Sequence, residues 1–280
     1  MLERISNTWE IMRASWELLK QDGEIMVYAF MSIFSCALIT LSFFIPVFYS
    51  GQLDLVSPEN NNEVFIYSLV FFFYLINFFI INFFNTAIVA TVEIRMSGGD
   101  PKFMDGINIA LSKIHLIFGW SLVAATVGFI IRILEERVGW IGKILLAIVG
   151  TAWTMASAFV IPIMVTENRG PIESLKRSAQ LLRRTWGEQL ISGFSYGIIF
   201  FVFSIPAILL IAVGSAAKAA VITTSFLAIG ILYLISLGQV QSALVVIFQT
   251  ALYRFARDGR APRGFDDGML KYAIQRKIDR

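Results

Sequence analysis

The stretch that decides the fold is VFIYSLVFFFYLINFFIINFFNTAIVATV, residues 64–92, which contains no Asp, Glu, Lys or Arg. An α-helix rises 1.5 Å per residue, so about 20 apolar residues cross a hydrocarbon core of about 30 Å. This run is long enough to cross with several residues to spare. Residues 64–92 therefore predict a transmembrane helix.

Five more segments contain long apolar runs, and the composition of the chain agrees with them. Of the 280 residues, 57% are hydrophobic and 15% are charged, whereas about a quarter of an average soluble domain is charged. Unbroken apolar runs exclude the short alternating strands of a membrane β-barrel. The sequence thus predicts an all-α membrane protein, one transmembrane domain over 1–280, with six spans near 25–49, 64–91, 114–134, 141–165, 190–213 and 221–253.

The sixth span is too long for a single perpendicular crossing. As one helix, residues 221–253 would reach about 50 Å. The helix must tilt, run past the interface or break, and Gly238-Gln239 is the best candidate for a break.

The distribution of cations predicts the orientation. Outside the uncharged stretches of the spans, nineteen Lys and Arg residues fall on the side that holds both chain ends, and four fall on the other side. The positive-inside rule then predicts that both termini are cytoplasmic. The same cations suit anionic lipid headgroups, so the basic balance requires no nucleic-acid partner.

One short pattern occurs twice. Asn85-Thr86-Ala87-Ile88 is matched by Gln249-Thr250-Ala251-Leu252, and each is followed by Gly, Pro and then Phe-x-Asp-Gly. A weaker copy lies between them, since Asp100-Pro101 and Gly170-Pro171 each open a segment. The pattern predicts three parallel repeats, each an interfacial helix followed by a transmembrane hairpin, near 1–92, 100–166 and 170–255, with a fourth interfacial segment at 262–280.

The segments that open these repeats have amphipathic spacing. Their apolar residues recur every three or four positions: Leu2, Ile5, Trp9, Met12, Trp16 and Leu19; Phe103, Ile107, Ala110 and Ile114; Ile172, Leu175, Ala179, Leu182 and Trp186. Such stripes beside a span predict helices that lie in the cytoplasmic interface. The alternative is pairing with another helix as a coiled coil.

The residues that carry enzymatic chemistry are scarce. Cys36 and His115 are the only cysteine and histidine, so no nitrogen and sulfur metal site is expected. The spacing Gly-x-Ser-x-Gly occurs once, at residues 193–197, where the sequence predicts the start of the fifth span and not a strand-to-helix turn, and no phosphate-binding loop is present. Asp105, Asp266 and Asp267 stand beside helix starts and glycines, which favours capping roles. We therefore expect neither an enzyme nor a bound cofactor or metal.

Two spans carry amides instead of charges. The amides of the second span fall within an arc of about 140° on a helical wheel, and those of the sixth span include the counterpart of Asn85. The six residues are Asn77, Asn82, Asn85, Gln239, Gln241 and Gln249. They predict either hydrogen bonds between helices or the polar lining of a narrow pathway.

A separate charged cluster lies between the third and fourth spans. It consists of Arg132, Glu135, Glu136 and Arg137. Arg132 and Glu136 are four residues apart, so they can pair on one helix face. A solvated cluster at the outer surface is the simpler interpretation, and the charged mouth of a pathway is the alternative.

Several short motifs together resemble a known family. They are Asn-Thr-Ala-Ile (85–88), Gly-Gly-Asp-Pro (98–101), Asp-Gly (105–106), Glu-Glu-Arg-x-Gly (135–139), Lys-Arg-Ser-Ala (176–179) and Thr-Trp-Gly-Glu (185–188). The chain resembles a widespread group of uncharacterised prokaryotic six-pass membrane proteins, a domain of unknown function. That resemblance implies a prokaryotic cytoplasmic membrane and assigns no activity. The segment from Gly-Asp-Pro to Asp-Gly also resembles membrane domains found beside glycerophosphodiesterases, whose catalysis resides in a separate soluble domain.

These features favour a non-catalytic scaffold or accessory subunit of that membrane. Its cytoplasmic helices would face a membrane protein, a cytoplasmic protein or a second copy of the chain. The alternative function is a passive channel or small-solute facilitator lined by the Asn and Gln residues.

Overall fold

The computed structural model describes residues 2–49, 63–186, 194–216, 220–268 and 270. Every regular element in these residues is an α-helix: α1 Leu2–Gln21, α2 Glu24–Tyr49, α3 Glu63–Met96, α4 Phe103–Ser112, α5 Ile114–Arg137, α6 Trp140–Ser157, α7 Val160–Glu167, α8 Pro171–Trp186, α9 Phe194–Ala216 and α10 Ala220–Asp258. Six segments are long and apolar enough to cross a membrane, as predicted: α2, α3, α5, α6 with α7, α9 and α10. The chain is therefore an all-helical, multi-pass membrane protein.

The polar contacts near the helix ends define one end of the bundle. Arg95 near the end of α3 pairs with Asp22, which precedes α2, and Glu93 pairs with Arg254 of α10. Tyr253 of α10 hydrogen-bonds Glu167 at the end of α7. Because α1, α4 and α8 pack at this end, we call it the α1 end, and we call the opposite end, where α5 stops and α6 starts, the far end.

The core runs from the α1 end into the spans. Fully buried side chains of α2, α3 and α10 meet in one cluster that also takes in α1, including Tyr28, Ile88 and Ile247. Further along, large apolar side chains are exposed, such as Phe201 at 65% and Leu232 at 63%. Exposed apolar surface of this extent suits helices whose solvent is lipid.

The fourth predicted span, 141–165, is present as two helices, α6 and α7, instead of one. Pro162 causes the break, because its ring displaces the carbonyl four residues earlier and it has no N–H. Ser178 of α8 accepts the N–H of Phe159 at 3.1 Å. A polar group that the break frees at membrane depth is thus satisfied by a neighbouring helix.

The sixth span shows the opposite difference. The break expected at Gly238-Gln239 is absent, and α10 is one continuous helix of 39 residues. Its final turns carry Tyr253, Arg254 and Arg257, which make the polar contacts of the α1 end. The extra length therefore carries the helix beyond the apolar region instead of forcing a break.

The amphipathic stripes are divided between two environments. Met12 and Leu19 of α1 are buried in the protein core, whereas Trp9 and Trp16 are 49% and 41% exposed. In α8, Leu182 is buried and Ile172 is exposed. The stripes are split because these helices pack sideways against the bundle, so only part of each apolar face remains on the surface.

Candidate functional site

Buried ion pairs hold the α1 end together. Arg95 donates from Nε to Asp22 at 2.8 Å and, through Nη2, to the other oxygen of Asp22 and to Asp100. The Asp22 side chain is only 1% exposed. A two-pronged arginine–carboxylate contact is among the stronger hydrogen-bonding arrangements in proteins. This contact fixes the turn between α1 and α2 against the end of α3.

A second polar network surrounds Tyr253, which is fully buried. Its hydroxyl lies 2.7 Å from Thr166 Oγ1 and 3.0 Å from Glu167 Oε1. Glu167 also accepts from Arg169 Nε at 2.6 Å, and Arg257 lies over the Tyr253 ring at 5.2 Å from its centroid. The network joins the end of α10 to the end of α7. It therefore fixes the positions of α7 and α10, which both contact α8.

The three acidic residues for which the sequence predicts capping roles each accept a hydrogen bond from the backbone. Asp105 accepts the Lys102 N–H at 2.8 Å, and Asp267 accepts the Ala261 N–H at 2.6 Å. Asp266 accepts the Gly268 N–H at 3.1 Å. In the part of the chain that the structure describes, no three His, Cys, Asp or Glu residues are grouped to hold a metal ion.

A cleft of about 390 Å³ lies between α3, α5, α6, α7 and α10. We call it the amide cleft, because Asn82, Asn85 and Gln249 line it. Its walls are mostly apolar, and Trp120 and Trp153 stack with ring centroids 5.8 Å apart. No residue of α6 is buried. The cleft exists because α6 does not pack closely against the other helices.

The hydrogen bonds of α5 determine how the Asn82 amide is oriented. The Ser121 hydroxyl donates to the Ile117 carbonyl at 2.8 Å, so its oxygen must accept from Asn82. Asn82 Nδ2 lies 3.0 Å from that oxygen. The amide nitrogen is therefore directed at α5, which leaves Oδ1 as the free acceptor of a residue that lines the cleft.

A family model matches residues 64–265, which is most of the chain. The chain belongs to DUF6159, a family of unknown function. The DUF6159 match contains every residue that lines the amide cleft and begins after α1 and α2. No curated protein and no solved structure matches the chain.

In this DUF6159 protein, the predicted amides separate into three groups. Asn82, Asn85 and Gln249 meet in the amide cleft. Asn77 donates to the Phe73 carbonyl of its own helix at 2.9 Å. Asn77 does not line the cleft. Gln239 and Gln241 form the third group, and they do not line the cleft either. Sequence reasoning also missed Trp120 and Trp153, whose pairing depends on how α5 and α6 pack and leaves no local signal.

The charged cluster lies at the far end, on the last turns of α5. Arg132 Nε is 3.1 Å from Glu136 Oε1, so the pair that the spacing predicts is present. Both side chains are more than half exposed. A pair of this kind contributes little to stability, about 0–1 kcal/mol.

Proposed function

We propose that this DUF6159 protein is a non-catalytic scaffold or accessory subunit of a prokaryotic cytoplasmic membrane. The observation that carries the proposal is the construction of the α1 end. Buried polar contacts hold its short helices in fixed positions, while charged side chains remain on their outer faces, including Glu17 and Lys20 of α1 and Lys176 of α8. A rigid, charged surface of this kind suits recognition by a partner.

The surface of α1 supports an interfacial position on the cytoplasmic leaflet. At 100° per residue, the buried face of α1 is followed around the helix by Trp9 and Trp16, then by Lys20 and Arg13, and then by Glu17. Tryptophan favours the membrane interface, and lysine and arginine favour anionic headgroups. This order lets one helix contact the bundle, the lipid and water at once, with both chain termini in the cytoplasm.

Corresponding residues have matching environments, which supports the proposed repeats. Residues 15–20 and 178–183 share the pattern Ser-x-x-Leu-Leu followed by Lys or Arg. Ser15, Leu18 and Leu19 are buried, and so are the corresponding Ser178, Leu181 and Leu182. The exposed Lys20 corresponds to the exposed Arg183. Thr86 and Thr250 of the repeated pattern are also both fully buried. The segment after Pro101 differs, because Leu111, ten residues after that proline, is 49% exposed, whereas Leu181, ten residues after Pro171, is 5% exposed.

The proposal can be tested by site-specific photocrosslinking in native membranes. A benzophenone amino acid replaces Glu17 or Gln180, two corresponding and exposed positions at the α1 end. The matched control replaces Lys143, an exposed residue of α6 near the far end. We expect both α1-end positions to give protein adducts of one reproducible mass that the control does not give.

Two masses support the proposal in different ways. An adduct of twice the chain mass identifies a second copy as the partner, and any other single mass identifies a different protein. Lipid adducts alone, or the same protein adducts from Lys143, would contradict a scaffold role for the α1 end.

A further inference from the structure

The amide cleft lies at the depth of the hydrocarbon core. Its α3 lining extends from Phe78 to Val89, which are eighteen and seven residues before the last residue of α3. At 1.5 Å per residue, the cleft spans roughly 10 to 27 Å along the helix from the α1 end. Thr154 at its edge is exposed, as are neighbouring apolar residues of α6 such as Ile148. The cleft is therefore accessible from the bilayer.

The polar residues in the cleft lining are all uncharged. None of the described residues that line the cleft is Asp, Glu, Lys, Arg or His. A charged headgroup would find no counterion there, and burying an unpaired charge at this depth is costly. The site therefore selects for an uncharged molecule.

Three amides define the hydrogen bonds that such a molecule must make. Asn82 is 7% exposed, and its Oδ1 accepts no hydrogen bond from any described residue. The side chains of Asn85 and Gln249 make none in the described residues either, and both face the cleft. A ligand group that donates to Asn82 and also accepts from a nearby amide satisfies this set, and a hydroxyl does both.

We propose that the amide cleft binds a neutral membrane lipid through a hydroxyl group, such as the free hydroxyl of a diacylglycerol. An ester carbonyl alone does not suffice, since it has no hydrogen to donate to Asn82 Oδ1. The apolar walls and the Trp120–Trp153 stack suit the glycerol backbone and the first methylenes. With about 390 Å³ available, the cleft holds the head of the lipid, and the remaining acyl chain stays in the bilayer.

Tryptophan quenching by brominated lipid tests this site. Trp9, Trp16, Trp140 and Trp186 are changed to Phe, which leaves Trp120 and Trp153 as reporters in the full-length chain. The protein is placed in nanodiscs that contain increasing fractions of either diacylglycerol or phosphatidylcholine with the same dibrominated chains. We expect saturable quenching at low mole fractions of diacylglycerol, and only weak, proportional quenching by phosphatidylcholine.

Asn82→Leu in this background should weaken diacylglycerol binding by about three- to tenfold, as expected for the loss of one hydrogen bond. Asn77→Leu is the matched control, because that amide bonds its own helix and does not line the cleft, and it should leave the binding curve unchanged. Gln249→Leu gives a second test that does not remove the Asn82–Ser121 bond, so the proposal stays testable if Asn82→Leu fails to fold.

Four results would overturn the proposal. One is equal quenching by the two lipids, and another is a curve that neither cleft substitution changes. The third is displacement of the lipid by millimolar glycerol, which would assign the cleft to a soluble solute. Efficient disulfide dimers of Thr154→Cys in a Cys36→Ala chain would instead assign the mouth of the cleft to a second copy.

Discussion

At the level of single residues, Asp22 is the most constrained charged group of the α1 end. It is almost fully buried, and Arg95 binds both of its oxygens. Asp100 binds the same guanidinium, but 89% of its side chain is exposed. Removing one member of a buried pair leaves the other charge without a partner. When an exposed member is removed, water can solvate the charge that remains. The two carboxylates should therefore differ in their contributions to stability.

Asp22→Asn should lower the free energy of unfolding by about 3 kcal/mol, because Arg95 loses its buried anion. Asp100→Asn should lower it by less than about 1 kcal/mol. Chemical unfolding in detergent, followed by the circular dichroism of both variants, measures the difference. Equal losses would show that the burial of Asp22 has no energetic consequence.

At the level of helices, α4 approaches α3 closely at a single glycine. A Cβ atom on Gly106 would lie 2.6 Å from the Tyr28 hydroxyl, 2.7 Å from Thr91 Oγ1 and 2.9 Å from the Ala87 carbonyl. The Tyr28 hydroxyl donates to the Phe103 carbonyl at 2.6 Å. A side chain at this position would therefore push α4 away and break the bond that anchors it.

Gly106→Ala should destabilise the protein by about 1–3 kcal/mol through overpacking. Gly238→Ala is the control, because that glycine lies inside α10 with open space around it. There, alanine should be neutral or stabilising by up to about 1 kcal/mol. Apparent melting temperatures of the two variants test this, and a neutral Gly106→Ala would mean that α4 moves without cost.

At the level of the whole molecule, the six spans alternate between two ends with different chemistry. The α1 end gathers the short helices and the buried ion pairs, while the charges described at the far end include the exposed pair of Arg132 and Glu136. The excess of Lys and Arg on the side of the α1 end favours its cytoplasmic placement.

Single-cysteine labelling tests this orientation. In a Cys36→Ala chain, Glu136→Cys should react with a membrane-impermeant maleimide in intact cells, and Lys176→Cys should react only after permeabilisation. Both positions are exposed in the structure, so a difference in reactivity reports the side of the membrane and not burial. The reverse labelling pattern would show that the α1 end is outside.

The amides illustrate how far the candidate site could be predicted. The helical wheel grouped Asn77, Asn82 and Asn85, but only the last two line the cleft, because Asn77 bonds the Phe73 carbonyl of its own turn. Gln249 joins them, although it lies more than 160 residues later in the chain. Sequence periodicity shows which residues share a face of one helix, and it cannot show which helix covers that face.

By itself, the sequence determined the number, type and approximate bounds of the spans, because uncharged length decides whether a helix can cross a hydrocarbon core. The pairing of Asp22 with Arg95, the capping of the broken fourth span by Ser178 and the meeting of Asn82 with Gln249 were decided only by the tertiary structure. Each of these contacts joins separate helices, and its formation depends on the packing of whole helices. Span prediction depends on local free energies of transfer, whereas these contacts depend on which helix faces meet.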